Sequence, residues 1–202
     1  MKTSSENIEK ETVELDPQVV ELPKLISKVI SLLGENPHRE GLSKTPHRVA
    51  KSLLELTRGY HVDVDNLINK AVFSEAYNEM VVVKDIRFYS LCEHHLLPFF
   101  GTVHVAYLPN GKIIGLSKIP KLVEVYSQRL QVQERLTQQI AETLQSKLQP
   151  MGVGVVIEAR HLCMEMRGAR SQNSPTVTSA MLGGFRTDPR TRKEFLSFIH
   201  RS

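Results

Sequence analysis

Residues 91–99 read LCEHHLLPF. A cysteine, an acid and two adjacent histidines interrupt an otherwise apolar run. Each is costly to bury without a partner, and a metal ion is one such partner. A second group lies far along the chain, where residues 160–167 read RHLCMEMR. Cys163 falls at the end of a predicted strand, and in a strand residues i and i+2 share a face. Whatever Cys163 faces, His161 therefore faces too. Cys92, Cys163 and one of His94 or His95 together offer two thiolates and one imidazole. That is the donor set of a catalytic zinc site, which leaves a fourth position to water; a structural site normally fills all four from protein. His95 fits a C-x2-H spacing, which would leave His94 for proton transfer or orientation. Spacing alone does not choose between them. Zinc brings the pKa of its water from near 16 to about 7, and a neighbouring histidine can move protons. The expected chemistry is hydrolysis at an electrophilic carbon.

The remaining candidates suggest an anionic substrate. Arg167 follows Cys163 closely and belongs near the metal. Ser117 and Lys118, with Lys121 beyond them, mark a strand-to-helix junction in IIGLSKIPK, where exposed backbone N–H groups favour anions. Arg48 and Lys51 share one side of a helix near its start. Any one of these alone reads as solvated surface charge. No G-x-x-x-x-G-K-[ST] occurs, so a nucleotide would not be held by a P-loop. Gln133-Glu134 opens a long helix. An acid there is favourable with the helix dipole. Its carboxylate could also accept two N–H bonds from a guanine edge, which gives a specificity that an apolar slot lacks.

These residues need a scaffold. PQVVELPKLISKVISLLG carries apolar residues at helical spacing and stops at Gly34. Thr45-Pro46 reads as a cap with proline at the first helical position, starting a helix that ends near Gly59. Residues 79–90 are β-branched and aromatic and predict a strand. Residues 102–108 and 112–116 flank Pro109-Asn110-Gly111, which predicts a hairpin. Residues 118–149 predict helix with a break near Leu130–Val132. Residues 152–163 and 176–185 predict strands, and Asp188-Pro189 starts a final helix. The order suggests an α+β fold with helices on one face of an antiparallel sheet. Residues 1–16 predict a mobile tail, residues 17–60 a helical extension and residues 61–202 the catalytic domain.

Bulk composition narrows the function. The chain has 202 residues and 41% hydrophobic content, enough for a packed core. No apolar run spans a membrane, and the polar, acidic N-terminus lacks a secretory signal. A cytoplasmic location is expected, where the two cysteines stay reduced rather than forming a disulfide. The net charge of +4 is modest and its basic residues are scattered. With no Trp and 6% aromatics, a stacking platform for nucleic acid is poorly supplied. A nucleic-acid-binding zinc protein would also need a fourth ligand that is not evident.

The chain resembles the GTP cyclohydrolase I family. The resemblance is carried by SLCEHHLLPFFGTVHVAYLP, IIGLSKIPKLVEVYSQRLQVQERLTQQIAETL and ARHLCMEMRGAR, with TPHRVAK before and GGFRTDPRTRKEFL after. It implies a tunnelling fold (T-fold), with pentameric rings stacked into a homodecamer and active sites at subunit interfaces. It implies conversion of GTP and water to 7,8-dihydroneopterin triphosphate and formate, the first step of tetrahydrofolate and pterin biosynthesis. By position, Cys92, His95 and Cys163 match the zinc ligands, and activated water would attack C8 of the guanine. His161 matches the main proton-transfer residue and His94 a supporting one. Glu134 matches the acid on the guanine edge, with Gln133 beside it. Ser117, Lys118, Arg167, Arg48 and Lys51 match positions around the ribose and triphosphate. Lys121 stands where the family pattern has arginine, which keeps charge but loses the bidentate fork. Leu130 replaces a proline at the helix break. The alternative is a related tunnelling-fold enzyme acting on another purine or pterin, which would not obviously need all three metal ligands.

Overall fold

A computed structural model describes residues 17–69, 71–168 and 174–199. The tail expected over residues 1–16 lies outside the described residues. The chain divides into two compact units, Met1–Glu55 and Leu56–Ser202.

The first unit holds helix α1 (Pro17–Leu32) and most of α2 (Thr45–Leu56). α1 stops where expected. Gly34 takes φ +90, a left-handed conformation open to glycine at little cost. The amides of Gly34 and Glu35 then turn back to the carbonyls of Ser31 and Ile30.

The second unit opens with a 3-10 turn (Arg58–His61), α3 (Val64–Asn69) and β1 (Val72–Ser74). β2 (Val81–Cys92), β3 (Pro98–Leu108) and β4 (Lys112–Ile114) follow. Then come α4 (Lys118–Ser127), β5 (Leu130–Gln131), α5 (Gln133–Leu148) and β6 (Gly152–His161). The chain closes with α6 (Leu162–Glu165), β7 (Thr176–Gly183), α7 (Gly184–Thr187) and α8 (Pro189–Ile199). The main sheet has five strands in the order β5-β2-β3-β6-β7. β2, β3, β6 and β7 pair antiparallel, and β5 alone runs parallel to its neighbour β2. The α+β class, an antiparallel sheet backed by helices, is as expected.

One face of the sheet makes the core. Phe88, Phe99, Val103, Val105, Tyr107, Val153, Val155 and Ile157 pack with α4 and α5. α5 supplies Leu136, Ile140, Leu144 and Leu148, all buried and one turn apart, so a single apolar stripe faces the strands. The opposite face is covered locally by Phe185 and Phe195 over Ala106 and Val156. Their rings meet edge to face at 5.7 Å. Leu144 is fully enclosed, so Leu144→Ala is expected to destabilise the fold by about 2–5 kcal/mol through lost burial and a residual cavity. Urea denaturation followed by circular dichroism would measure this. A loss of less than about 0.5 kcal/mol, typical of surface sites, would contradict the packing.

Two local expectations are corrected. Residues 102–108 and 112–116 do not form a hairpin. Both edges of β3 are already taken, by β2 and β6, so β4 pairs with the short β1 (Val72↔Ile114 to Ser74↔Lys112). α2 ends at Leu56, close to Gly59 as expected. Gly59 itself lies inside the 3-10 turn, its N–H donates to Gln128 O at 2.9 Å, and a Cβ there would fall 2.0 Å from Val125 O. Only glycine allows that backbone approach. The strand expected over residues 152–163 ends at His161, and Cys163 lies in the following helical turn.

The register positions the site. Leu91 pairs with Pro98, Phe99 with His161, and Ala159 with Thr176. The end of β2, the start of β3, the end of β6 and the start of β7 therefore share one end of the sheet. β5 pairs Cys92 with Gln131, which brings the first turn of α5 to that end as well.

Candidate metal centre

Residues 92–97 fold into a tight turn between β2 and β3. The Cys92 N–H donates to Leu97 O at 2.9 Å, and Cys92 O accepts from the amides of His95 (3.3 Å) and Leu96 (2.8 Å). Leu96 takes φ 54, a left-handed conformation uncommon outside glycine. The turn is anchored to the β5–α5 link, where Glu93 N–H donates to Gln131 O at 3.0 Å. The Glu93 carboxylate also takes two bonds from the Arg135 guanidinium on α5, one of them 3.0 Å from Nη2. That pairing holds the Glu93 carboxyl below the usual carboxylate range.

Cys92, His95 and Cys163 converge. One donor atom from each lies within 4.8 Å of the others, and no other such group of three occurs among the described residues. Cys92 Sγ is 3.9 Å from His95 Nδ1. Tetrahedral zinc, with bonds of about 2.3 Å to sulfur and about 2.0 Å to nitrogen, spaces its donors by roughly 3.3–3.8 Å. Two thiolates and an imidazole at this separation fit such an ion with small side-chain adjustments. Burial and the neighbouring Cys92 thiol push the Cys163 thiol above its ordinary pKa, and Arg167 opposes this. A bound divalent cation would reverse the balance, because it would bind the thiolate directly.

His94 lies outside that group, on the exposed side of the turn, with Nδ1 3.8 Å from Cys92 Sγ. His161 is half-buried and stacks flat on Phe99, with ring centres 4.8 Å apart and planes 6° apart. Burial lowers its pKa, while the nearby Glu134 and Glu165 carboxylates raise it. Glu165 is itself tied to Arg160 through Oε1 at 2.9 Å and Oε2 at 2.5 Å.

The expected partner of Glu134 behaves differently. Gln133 is 1% exposed, and its amide is committed inside the protein. Nε2 donates to Ile157 O (3.1 Å), Thr176 O (2.9 Å) and Thr178 Oγ1 (3.1 Å), while Oε1 meets His161 Nε2 at 2.7 Å. Its side chain supports the histidine and is not free to read a base. Only its place at the start of a helix beside an acid was visible in the sequence. The Glu93–Arg135 pair was likewise not anticipated, since nothing local links residues 42 apart.

Glu134 is exposed in the first turn of α5. Ser117 is exposed at the start of α4, without a side-chain capping bond, followed by Lys118 and, one turn on, exposed Lys121. Arg167 is exposed just beyond α6. Arg48 and Lys51 are exposed on α2 in the first unit.

A family model described as GTP cyclohydrolase I matches residues 22–200. The chain is 58% identical over 178 residues to GTP cyclohydrolase 1 of Leptospira biflexa, covering 88% of this chain and 97% of the relative. It is 61% identical over 181 residues to GTP cyclohydrolase 1 of Chlorobaculum tepidum, covering 88% and 81%. It is 57% identical over 173 residues to the human GTP cyclohydrolase 1, covering 86% and 69%. Among solved structures, the archaeosine synthase QueF-Like in its apo form aligns with 52% of this chain and 94% of its own, at a TM-score of 0.44 and 22% identity. Matched by that family model over residues 22–200 and similar along most of its length to these relatives, the chain belongs to the GTP cyclohydrolase I family.

Proposed function

We propose that this chain is a GTP cyclohydrolase I, hydrolysing GTP to 7,8-dihydroneopterin triphosphate and formate, with zinc held by Cys92, His95 and Cys163. The convergence of these three donors within 4.8 Å carries the reading. When bound, zinc brings the pKa of a coordinated water from near 16 to about 7.

The chain's own residues supply the rest. Glu134, at the first turn of α5, accepts N–H groups from the guanine edge and so orients the base. His161 moves the proton at the reacting ring, held in plane by Phe99. His94, beside Cys92, supports that transfer. Ser117, Lys118, Lys121 and Arg167 bind ribose and triphosphate by charge and hydrogen bonding, and Arg48 and Lys51 carry the same assignment. Lysine at position 121 gives a point charge rather than a fork.

The reading extends to assembly and location. His95, Glu134 and Arg167 are exposed in the single chain, which supports a site completed by neighbouring subunits in a homodecamer of two pentamers. Light scattering after size exclusion would measure that mass. Catalysis is assigned to residues 61–202, with residues 17–60 as a helical extension. No helix among the described residues is long and apolar enough to cross a membrane, and we assign the protein to the cytoplasm. Its product would feed tetrahydrofolate and pterin synthesis.

The test uses purified protein of measured zinc content. Mixed with GTP, it is expected to release formate and a fluorescent pterin in equal amounts. Both should vanish on chelation and return with zinc. A zinc-replete, assembled protein that makes neither product would overturn the activity, and other purines and pterins would then be screened.

A further inference from the structure

Gln133 has a hydrogen-bond environment that admits one arrangement. Ile157 O and Thr176 O lie at 3.1 and 2.9 Å from its Nε2. Backbone carbonyls only accept, so the atom facing them carries the amide hydrogens. Flipping the amide would set its oxygen against both carbonyls. Thr178 and Thr137 agree with this choice. Thr137 Oγ1 donates to Gln133 O at 2.7 Å. With that hydrogen used, the 2.6 Å contact between the two threonines takes its hydrogen from Thr178. Thr178 Oγ1 then offers its lone pairs to Gln133 Nε2 at 3.1 Å. The chain of donors closes on itself, inside a region where Gln133 and Thr137 are 1% and 2% exposed.

The consequence falls on His161. Gln133 Oε1 can only accept, so the 2.7 Å contact requires a hydrogen on His161 Nε2. The neutral imidazole then has its lone pair on Nδ1. The stack on Phe99 at 4.8 Å fixes the ring plane, and the contact with Gln133 Oε1 selects the orientation within it, because a flipped ring would present a carbon there.

We propose that Gln133 is a positioning residue that holds His161 in the Nε2–H tautomer, so that Nδ1 is the atom that takes up and returns protons. This rests on His161 being the proton-transfer group of the proposed reaction. Thr178 and Thr137 hold Gln133 in turn. The residue beside the base-reading acid thus serves the histidine, and a single helix start serves both substrate orientation and proton transfer.

The experiment is a double-mutant cycle on the zinc-loaded protein, with wild-type GTP turnover as its control. Gln133→Met keeps the length and removes both hydrogen-bonding functions. It is expected to lower kcat about 10- to 100-fold, up to the low end of the roughly 10²- to 10⁴-fold general acid–base contribution, because the imidazole itself remains. KM for GTP and zinc affinity, measured by chelator competition, should change less than about threefold. In a His161→Ala background, Gln133→Met should have no further effect on the residual rate, because its role runs through the imidazole. Thr178→Val preserves shape and removes one acceptor, and should show a smaller fall in kcat with the same non-additivity. Full additivity in the His161→Ala background, or zinc loss in step with kcat, would overturn the proposal and make Gln133 merely structural. If Gln133→Met does not assemble, Thr178→Val with and without His161→Ala decides by the same criterion. Absence of turnover in the wild type would instead strike the proposed function.

Discussion

Cys163→Ser is expected to lose its zinc and its GTP turnover together. The substitution replaces a thiol that ionises near neutrality beside a cation with an alcohol that does not. The site has three protein donors, Cys92, His95 and Cys163, so it has none to spare. Replacing even a residue that only supports a ligand typically costs 10- to 100-fold in metal affinity, and a direct ligand should cost at least about that much. The fold should survive. Cys163 is only partly buried at the edge of the core, in a helical turn just past β6. Zinc content after dialysis, turnover and circular dichroism would be measured on one preparation. The expected result is a folded protein with little zinc and no formate release. A fully active, zinc-free variant would sink the metal assignment. A variant that keeps zinc but loses activity would remove Cys163 from the ligand set.

Glu134→Ala should give the complementary pattern, with turnover lost and zinc kept. A site that accepts hydrogen bonds from a base edge discriminates by factors on the order of 10⁴. Loss of the carboxylate should therefore lower kcat/KM for GTP by about 10³-fold or more. Glu134 is exposed, so stability should change by no more than about 0.5 kcal/mol. It lies outside the Cys92–His95–Cys163 group, so zinc affinity should be nearly unchanged. Parallel loss of zinc and activity would count against its assignment to the base. One secondary effect is expected. Glu134 helps raise the His161 pKa against burial, so the variant should leave that imidazole more readily neutral.

The two variants separate two functions that share one end of the sheet. The metal turn is fastened to the start of α5 by Glu93 N–H on Gln131 O at 3.0 Å and by the Glu93–Arg135 pair. That start also carries Gln133 and Glu134. The three candidate metal donors, His161 and Glu134 are therefore held on one local framework.

Much of this was legible in the sequence because its signals are local. Cys92 and His95 are three residues apart and any turn between strands brings them together. The 3.6-residue stripe of Leu136, Ile140, Leu144 and Leu148 declares a helix and its buried face. Asp188-Pro189 declares a helix start, and Arg190 N–H does donate to Asp188 Oδ1 at 2.8 Å. The family resemblance supplied the long-range pairing of Cys92 with Cys163 that spacing could only suggest.

What the tertiary structure decided is long-range. The 112–114 strand belongs to β1 because β2 and β6 had already satisfied both edges of β3, a competition that turn chemistry cannot register. Cys163 arrives through a helical turn and not by strand alternation. His95 joins the candidate metal-donor group while the adjacent His94 does not. Gln133 turns inward to His161 although its neighbour faces solvent. Residue type and local spacing settle which groups are able to do chemistry, because propensity and donor identity are properties of the chain itself. Which atom faces which is set by packing across strands and helices distant in sequence, where each buried polar group must find its partner.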